Sequence, residues 1–298
     1  MTRYGIADIG SNTIVLLVYE MENGKPISIY HKSTPAHLID DVSPERIMSE
    51  HGIEKAQSVL FQYAEKLDEM DVHFRYACIT EPCRIHNQKQ LVEALQETGF
   101  EIVPLSGEME AALDYQGTLF SCPQYTDGVA FDVGGGSTEL IRFENNRVID
   151  AMSFPLGCVR LAHLPLDNTA CEESILKARK DYPSLDITCD TLIGIGGSLR
   201  YAGLLLDEMY QTGYTIPVSL LNDVYQRLVN KETSAIKAMK KVVDKARIPV
   251  FLPGVHMILE ITRIFKADTI IVSPTGIREG FLLYMLDRHG FLSDKEEN

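Results

Sequence analysis

The chain contains one pattern twice, as YGIADIGSNTIVLLVYE at residues 4–20 and as GVAFDVGGGSTELIRFE at residues 128–144. The two copies align without gaps and place Asp8 on Asp132, 124 residues later. Each copy is an apolar strand that ends near an aspartate, a turn of glycine and small polar residues, and a second apolar strand. A third strand is predicted near 26–31 and near 147–153. Both halves of the chain are therefore predicted to begin with the same three-stranded meander.

Helical patterns follow each meander. In the first half, Ser43-Pro44 is predicted to start a helix that runs towards Met70, because serine caps helix N-termini and proline suits the first turn. The further elements predicted there are a strand at 74–79, a helix capped by Asn87, a strand at 101–104 and a helix from about Ser106 to Phe120. In the second half we predict helices near 169–181, 198–210, 218–230, 233–246, 254–266 and 279–289, with strands near 190–195 and 269–273.

Alternating strands and helices favour an α/β fold. We predict two domains, 1–124 and 125–298, with the helix near 279–289 completing the first. The 298 residues carry 42 acidic and 28 basic side chains, a net charge of −14. Such a charge disfavours nucleic acid and anionic lipid as partners. No apolar run approaches the ~20 residues of a membrane span, and no leader is apparent, so a cytoplasmic location is expected.

The turn after each repeated strand has the composition of a phosphate-binding loop. A strand that ends in aspartate and turns through small residues presents backbone N–H groups and a carboxylate together, which suits a phosphate and its Mg²⁺. The alternative for one copy alone is a plain hairpin. The loop IGIGGSLR at 193–200 and the segment SPTGIREG at 273–280, with Arg278, are weaker candidates that could serve packing, capping or a salt bridge instead.

A basic stretch runs from Lys231 to Arg247, with six positive and two negative side chains. It could carry a long polyanion or be a solvated helix face.

Six motifs in order resemble one family. The motifs are IADIGSNT (6–13), LSGEMEA (105–111), FDVGGGSTEL (131–140), PLGCVRL (155–161), IGIGGSLR (193–200) and GIREG (276–280). Together they are similar to the exopolyphosphatase and guanosine pentaphosphate phosphatase family, in its short two-domain form. The resemblance spans essentially the whole chain. It implies duplicated ribonuclease-H-like domains of the actin, sugar-kinase and heat-shock-70 ATPase superfamily, with a cleft between the domains.

The resemblance also implies roles for individual residues. Asp132 and Glu139 would hold Mg²⁺ or Mn²⁺, with Asp8 on the opposite side of the cleft as a further metal ligand. Glu110 would be the general base, in preference to Glu108, and Arg84 would grip phosphate. The remaining phosphate-binding positions would be Asp8, Gly10, Ser11, Asn12, Thr13, Gly134, Gly135, Gly136, Ser137, Gly196, Gly197, Ser198 and Arg278.

The chain departs from the family pattern at several positions. Met109 stands where a second acidic residue is usual, Glu81-Pro82 replaces small residues, and Pro249 replaces a common aspartate. The region 32–42 lacks an expected Arg-Leu-Gly. These departures bear on substrate identity and rate more than on the fold.

The reaction implied is metal-dependent hydrolysis of a terminal phosphoanhydride, with inorganic polyphosphate preferred as substrate. Three alternatives stay open. The chain could remove the terminal 5′-phosphate of guanosine pentaphosphate, transfer phosphate to an acceptor as sugar kinases do, or sense a nucleotide without turnover. The sequence also leaves open whether the chain is a monomer or a homodimer.

Overall fold

The computed structural model describes residues 2–23, 25–165 and 169–291. Its helices and strands, in chain order, are β1 (Arg3–Ile9), β2 (Thr13–Glu22), β3 (Lys25–Pro35), α1 (Glu50–Glu69), β4 (Phe74–Ile79), α2 (Gln88–Gln96), β5 (Glu101–Pro104), α3 (Gly107–Thr118), β6 (Gly128–Val133), β7 (Thr138–Glu144), β8 (Arg147–Phe154), α4 (Cys158–Leu161), α5 (Ala170–Asp181), β9 (Thr191–Ile195), α6 (Gly196–Tyr210), β10 (Thr215–Pro217), α7 (Val218–Val229), α8 (Thr233–Val242), α9 (Ile248–Phe265), β11 (Thr269–Val272) and α10 (Ile277–Arg288).

The chain divides into two compact units. The first unit comprises Met1–Gly117 together with Ile277–Asn298, and the second comprises Thr118–Gly276. The division predicted after residue 124 falls inside the second unit, seven residues beyond Gly117. Helix α10 belongs to the first unit.

The first unit is built on a five-stranded sheet of order β3-β2-β1-β4-β5. β1 runs antiparallel to β2 and parallel to β4. Side chains alternate along a strand, so Ala7 and Ile9 of β1 pack in the core cluster that contains α1 residues such as Leu60. Ile6 points to the other face, in the cluster that contains Phe281 of α10. Helices therefore cover both faces of this sheet, which is why β1 is almost continuously apolar.

The second unit repeats this arrangement with one strand added. Its sheet has the order β10-β11-β9-β6-β7-β8, in which β6, β7 and β8 form the antiparallel meander and β9 and β11 run parallel to β6. The three-residue strand β10 pairs antiparallel with β11 at the edge. The prediction of two α/β halves that begin with the same three-stranded meander is confirmed.

Two helix starts were predicted wrongly. Helix α1 begins at Glu50, capped by Ser49, whose Oγ accepts a hydrogen bond from Gly52 N at 3.1 Å. Residues 38–41 form a short 3-10 helix instead, and the predicted cap Ser43 precedes a tight turn. Helix α9 begins at Ile248 rather than near residue 254, because Pro249 fits the first helical turn, where no backbone N–H is needed.

Helix α9 is long and apolar enough, by its 18 residues and composition, to cross a membrane. It is the one such helix among residues 2–23, 25–165 and 169–291, and 56% of it is buried in the second unit. A buried core helix has the same composition, so this is weak evidence for a span. All six cysteines are free thiols, as the sequence predicts, and five of them are buried.

Candidate active site

The loop 134–137 joins β6 to β7, and a neighbouring segment fixes its carbonyl groups. Three hydrogen bonds of 2.9 Å hold these carbonyls. Cys158 N donates to Gly134 O, Val159 N to Gly135 O and Arg160 Nε to Gly136 O. In a trans peptide the following N–H points away from the carbonyl. The N–H groups of residues 135–137 therefore point away from segment 157–160. Consecutive N–H groups turned to one side form an anion-binding site.

Gly157 allows this close approach. A Cβ atom at residue 157 would lie 2.5 Å from the carbonyl oxygens of Gly134 and Gly135, a distance that real side chains do not tolerate. The motif PLGCVRL thus holds loop 134–137 in place on its carbonyl side, and Arg160 takes part by donating from its Nε. The sequence singled out this motif without indicating what it contacts.

Asp132 and Glu139 come together as opposite residues of β6 and β7. Directly opposed residues in an antiparallel pair project from the same face of the sheet. Glu139 is 1% exposed, and its Oε1 accepts hydrogen bonds from Ser137 Oγ at 2.7 Å and Ser153 Oγ at 2.6 Å. Ser153 lies opposite Glu139 on β8, so the side chains of Asp132, Glu139 and Ser153 form one row across β6, β7 and β8. The predicted metal-binding pair is therefore assembled by strand register.

Gly196 brings the third glycine loop against Asp132. Its backbone is left-handed, with φ of +83°, and the Asp132 carboxylate fills the space that a Cβ atom at residue 196 would take. Helix α6 begins at Gly196, so Asp132 lies at a helix N-terminus, where a negative charge is stabilised. Ser198 Oγ donates to Val133 O at 2.6 Å, which ties α6 to β6.

Arg247 is a cation for which the sequence indicates only membership of the basic stretch 231–247. Its guanidinium lies against Gly197, where a Cβ atom would come within 2.6 Å of it, and over the ring of Tyr201 at 5.6 Å. Burial raises the pKa of the Cys158 thiol, and the charge of Arg247 is the largest influence lowering it. Arg247 therefore lies near both glycine loops, whereas the lysines of the stretch are exposed. No local sequence signal distinguishes it.

The equivalent loop of the first unit, 10–13, has the same internal hydrogen bond. Gly10 N donates to Thr13 O at 3.1 Å, as Gly134 N does to Ser137 O at 3.0 Å. The carbonyls of Ser11 and Asn12 accept from the backbone of residues 36–39 at 2.9–3.0 Å. The region 32–42, which departs from the family pattern, thus supports this loop much as segment 157–160 supports its counterpart.

Ser11 has a partner that the sequence did not indicate. Its Oγ donates to Glu81 Oε2 at 2.8 Å, and the two residues are 5% and 8% exposed. Glu81 begins a short 3-10 helix, Glu81–Cys83, that follows β4. A buried carboxylate therefore lies beside a loop predicted to bind phosphate.

Arg84 and Glu110, predicted as phosphate ligand and general base, form an ion pair with each other. Their side chains are 20% and 12% exposed. Glu110 lies in the first turn of α3, whose N-terminus is capped by Ser106 through a bond from Met109 N to Ser106 Oγ at 3.2 Å. The structure thus brings these two residues together, in an arrangement where each balances the other's charge.

Arg278 lies among acidic groups of the first unit. Burial is the largest single influence and lowers its pKa, but the charges of Asp8, Glu279, Tyr19 and Asp114 together outweigh it, so the net shift of the pKa is upward. Glu279 accepts a hydrogen bond from Tyr19 Oη at 2.6 Å, and burial followed by the charge of Glu279 raises the pKa of that phenol. Arg278 therefore has acidic neighbours as well as its predicted role towards phosphate.

The donor set suits magnesium. Mg²⁺ is usually held by one or two carboxylates, with water and substrate phosphate completing its shell. Asp132 and Glu139 supply two such carboxylates beside loop 134–137. Across the described ranges no group of three or more His, Cys, Asp or Glu side chains could hold a metal by itself. Asp8, the third predicted ligand, belongs to the first unit.

Comparisons with known proteins cover nearly the whole chain. A putative exopolyphosphatase of Haemophilus influenzae is 22% identical, over 96% of this chain and 92% of its own length. A guanosine-5′-triphosphate,3′-diphosphate pyrophosphatase of Aliivibrio fischeri is 22% identical, over 95% of this chain but 59% of its own length.

Among solved structures, an exopolyphosphatase from Cytophaga hutchinsonii shares the fold. It is 23% identical, covers 96% of this chain and 98% of its own, and superposes with a TM-score of 0.83. The Aquifex aeolicus Ppx/GppA protein, also 23% identical, covers 97% of this chain and 98% of its own, with a TM-score of 0.78. The model of the Ppx/GppA phosphatase family matches residues 17–289. The chain therefore belongs to the Ppx/GppA phosphatase family.

Proposed function

We propose that this protein is a metal-dependent exopolyphosphatase, which hydrolyses the terminal phosphoanhydride of inorganic polyphosphate and releases orthophosphate. Family membership and the relative named as a putative exopolyphosphatase support the reaction class. A relative named as a guanosine-5′-triphosphate,3′-diphosphate pyrophosphatase is equally identical, at 22%, so guanosine pentaphosphate is the second candidate substrate.

The observation that carries the proposal is the arrangement around loop 134–137. Segment 157–160 occupies the carbonyls of this loop, so consecutive N–H groups are turned to the other side. The Asp132 and Glu139 carboxylates lie at the two ends of the same loop. Amide donors suit phosphate oxygens, and paired carboxylates suit the cation that accompanies them.

Phosphoryl transfer depends on positioning and on neutralising charge more than on covalent help. A bound Mg²⁺ or Mn²⁺, held by Asp132 and Glu139 with Asp8 as a further candidate, would neutralise phosphate charge. The N–H groups of loops 134–137 and 10–13 would bind phosphate oxygens. Arg247, near Gly197, adds a cation on the second unit.

Glu110 would accept the proton of the attacking water while the new P–O bond forms and the bridging P–O bond breaks. A carboxylate serves as base when it is ionised, and the helix N-terminus favours that state. In the structure Arg84 pairs with Glu110. We infer that a terminal phosphate competes for Arg84 and so frees Glu110 for water, which links substrate binding to activation of the base.

The test is phosphate release from long-chain polyphosphate, guanosine pentaphosphate and ATP, each with Mg²⁺ and again after chelation. Metal-dependent release from polyphosphate above the other two supports the proposal. Release mainly from the guanosine nucleotide would replace it with the second candidate. ATP consumption that requires an acceptor would indicate a phosphotransferase, and binding without release by folded protein would indicate a sensor.

The remaining expectations follow from the same proposal. The substrates are soluble polyanions, and a cytoplasmic location and the absence of nucleic-acid and membrane partners stay predictions. A homodimer stays open and is tested by measuring the mass in solution.

A further inference from the structure

We propose that Ser153 is a positioning residue for the predicted metal ligand Glu139, and that it keeps this carboxylate in place when Ser137 turns to phosphate. The inference rests on the proposed function, because it concerns the same metal ligand. It starts from two hydrogen bonds that converge on one oxygen. Glu139 Oε1 accepts from Ser153 Oγ at 2.6 Å and from Ser137 Oγ at 2.7 Å.

The Glu139 carboxylate needs these donors because it is buried. Glu139 is 1% exposed, and a buried charge is costly unless hydrogen bonds replace the water that it has lost. Hydroxyl groups are neutral, so these two bonds do not cancel the negative charge that attracts a cation. A carboxylate oxygen has two lone-pair sites. Hydroxyls use both sites of Oε1, which fixes the rotation of the carboxylate about its last bond.

The two serines belong to different parts of the second unit. Ser137 is the last residue of loop 134–137, which we propose binds phosphate, whereas Ser153 lies on β8 directly opposite Glu139. A serine hydroxyl has one proton and donates one hydrogen bond at a time. When Ser137 Oγ donates to a phosphate oxygen, it releases Glu139, and the bond from Ser153 remains. Ser153 therefore holds the carboxylate while substrate is bound.

The first unit has a serine at the corresponding place but no carboxylate for it to hold. The repeat places Val15 on Glu139. Strand β3 sets Ser33 opposite Val15, as β8 sets Ser153 opposite Glu139. Ser33 is exposed. The same position of the fold is therefore expected to matter for a metal in the second unit alone, and Ser33 provides an internal control.

The test is the affinity of the whole protein for Mn²⁺, measured by calorimetry without substrate. Ser153→Ala removes the hydroxyl. We expect this variant to bind Mn²⁺ about 10–100-fold more weakly than the wild type, because losing a hydrogen-bond partner of a metal ligand typically costs that much. Ser153→Thr keeps a hydroxyl on a residue type that suits a strand, so it should bind Mn²⁺ like the wild type.

A second measurement separates positioning from stability. The Mn²⁺ concentration that gives half-maximal phosphate release should rise by the same factor in Ser153→Ala, while kcat at saturating Mn²⁺ stays near the wild type. The matched control is Ser184→Ala, which removes a hydroxyl that donates to Asp150, on the other face of β8. Ser184→Ala and Ser33→Ala should leave the affinity for Mn²⁺ unchanged. Thermal unfolding confirms that each variant is folded.

Equal Mn²⁺ affinity of Ser153→Ala and the wild type would overturn the inference, as would an equal loss in Ser184→Ala, which would indicate a general effect of weakening the sheet. Glu139→Gln gives the baseline. If this variant binds Mn²⁺ as tightly as the wild type, or if the wild type binds none, the inference and the metal site of the proposed function both fail. Weaker Mn²⁺ binding by Ser153→Ala, in a protein that releases no phosphate from polyphosphate, would support the inference and refute the proposed function.

Discussion

Replacing Gly157 with alanine should displace loop 134–137 of the second unit, which we propose binds phosphate. The new Cβ atom would lie 2.5 Å from the carbonyl oxygens of Gly134 and Gly135, so backbone must move by roughly 1 Å to reach ordinary van der Waals distance. Overpacking of this kind costs about 1–3 kcal/mol, and the two backbone hydrogen bonds to those carbonyls, worth ~1 kcal/mol each, weaken.

We therefore expect the free energy of unfolding to fall by about 2–4 kcal/mol, and the midpoint of thermal unfolding by about 5–15 °C. A misplacement of ~1 Å in a catalytic loop costs about 100-fold in rate. The assays are thermal unfolding and the kcat/KM of phosphate release at a temperature where the variant is folded.

The control is Gly254→Ala, within α9. Its Cβ atom would lie 3.4 Å from the side chains of Cys158 and Ser198, an ordinary contact, and alanine in a helix is favoured over glycine by roughly 0.5–1 kcal/mol. If Gly157→Ala were as stable and active as Gly254→Ala, segment 157–160 would not position the loop.

Three further outcomes follow from the site and its surroundings. Glu110→Gln should fold and lose at least about 100-fold in phosphate release, while Glu108→Gln retains it; a fully active Glu110→Gln would exclude Glu110 as the base. Gly196→Ala should lower both stability and magnesium-dependent activity, because the Asp132 carboxylate occupies the space of the new Cβ atom, and unchanged values of both would contradict that packing. Burial lowers the pKa of His256, so the unfolded chain binds protons more readily; the stability that neutral His256 contributes is present above pH ~6.5 and is lost as pH falls through its folded pKa. The melting temperature of His256→Phe should therefore fall less than that of the wild type between pH 7.5 and 5.5, and equal slopes would contradict this.

The local parts of the site follow from sequence alone. The Asp-turn-strand pattern predicts both meanders, and a tight four-residue loop between β6 and β7 sets Asp132 opposite Glu139. Such pairs depend on alternation and turn length, which a short stretch of sequence specifies. The strands predicted at 74–79 and 101–104 match β4 and β5 in the structure, because a short stretch of sequence also specifies them.

The contacts between distant segments do not follow from sequence. Arg247 lies beside Gly197 although it comes 50 positions later in the sequence, and Glu81, which accepts from Ser11, comes 70 positions after it. These contacts depend on how helices and turns pack, for which the chain has no local periodicity. The start of α1 shows that local sequence can also be ambiguous. Ser43 and Ser49 are the same residue type and equally good as helix caps. The bridge between Val42 and Met48 selects the second, because it holds residues 42–48 in non-helical backbone.

The most direct measurement is the magnesium dependence of orthophosphate release from long-chain polyphosphate by the wild type and by Asp132→Asn. The control is Asp150→Asn, on β8 of the same sheet, where Asp150 accepts a hydrogen bond from Ser184. We predict that chelation abolishes release by the wild type, and that Asp132→Asn lowers kcat/KM by at least about 100-fold at saturating magnesium while Asp150→Asn stays near the wild type. Release that survives chelation, or an Asp132→Asn variant as active as Asp150→Asn, would contradict metal-dependent hydrolysis beside loop 134–137.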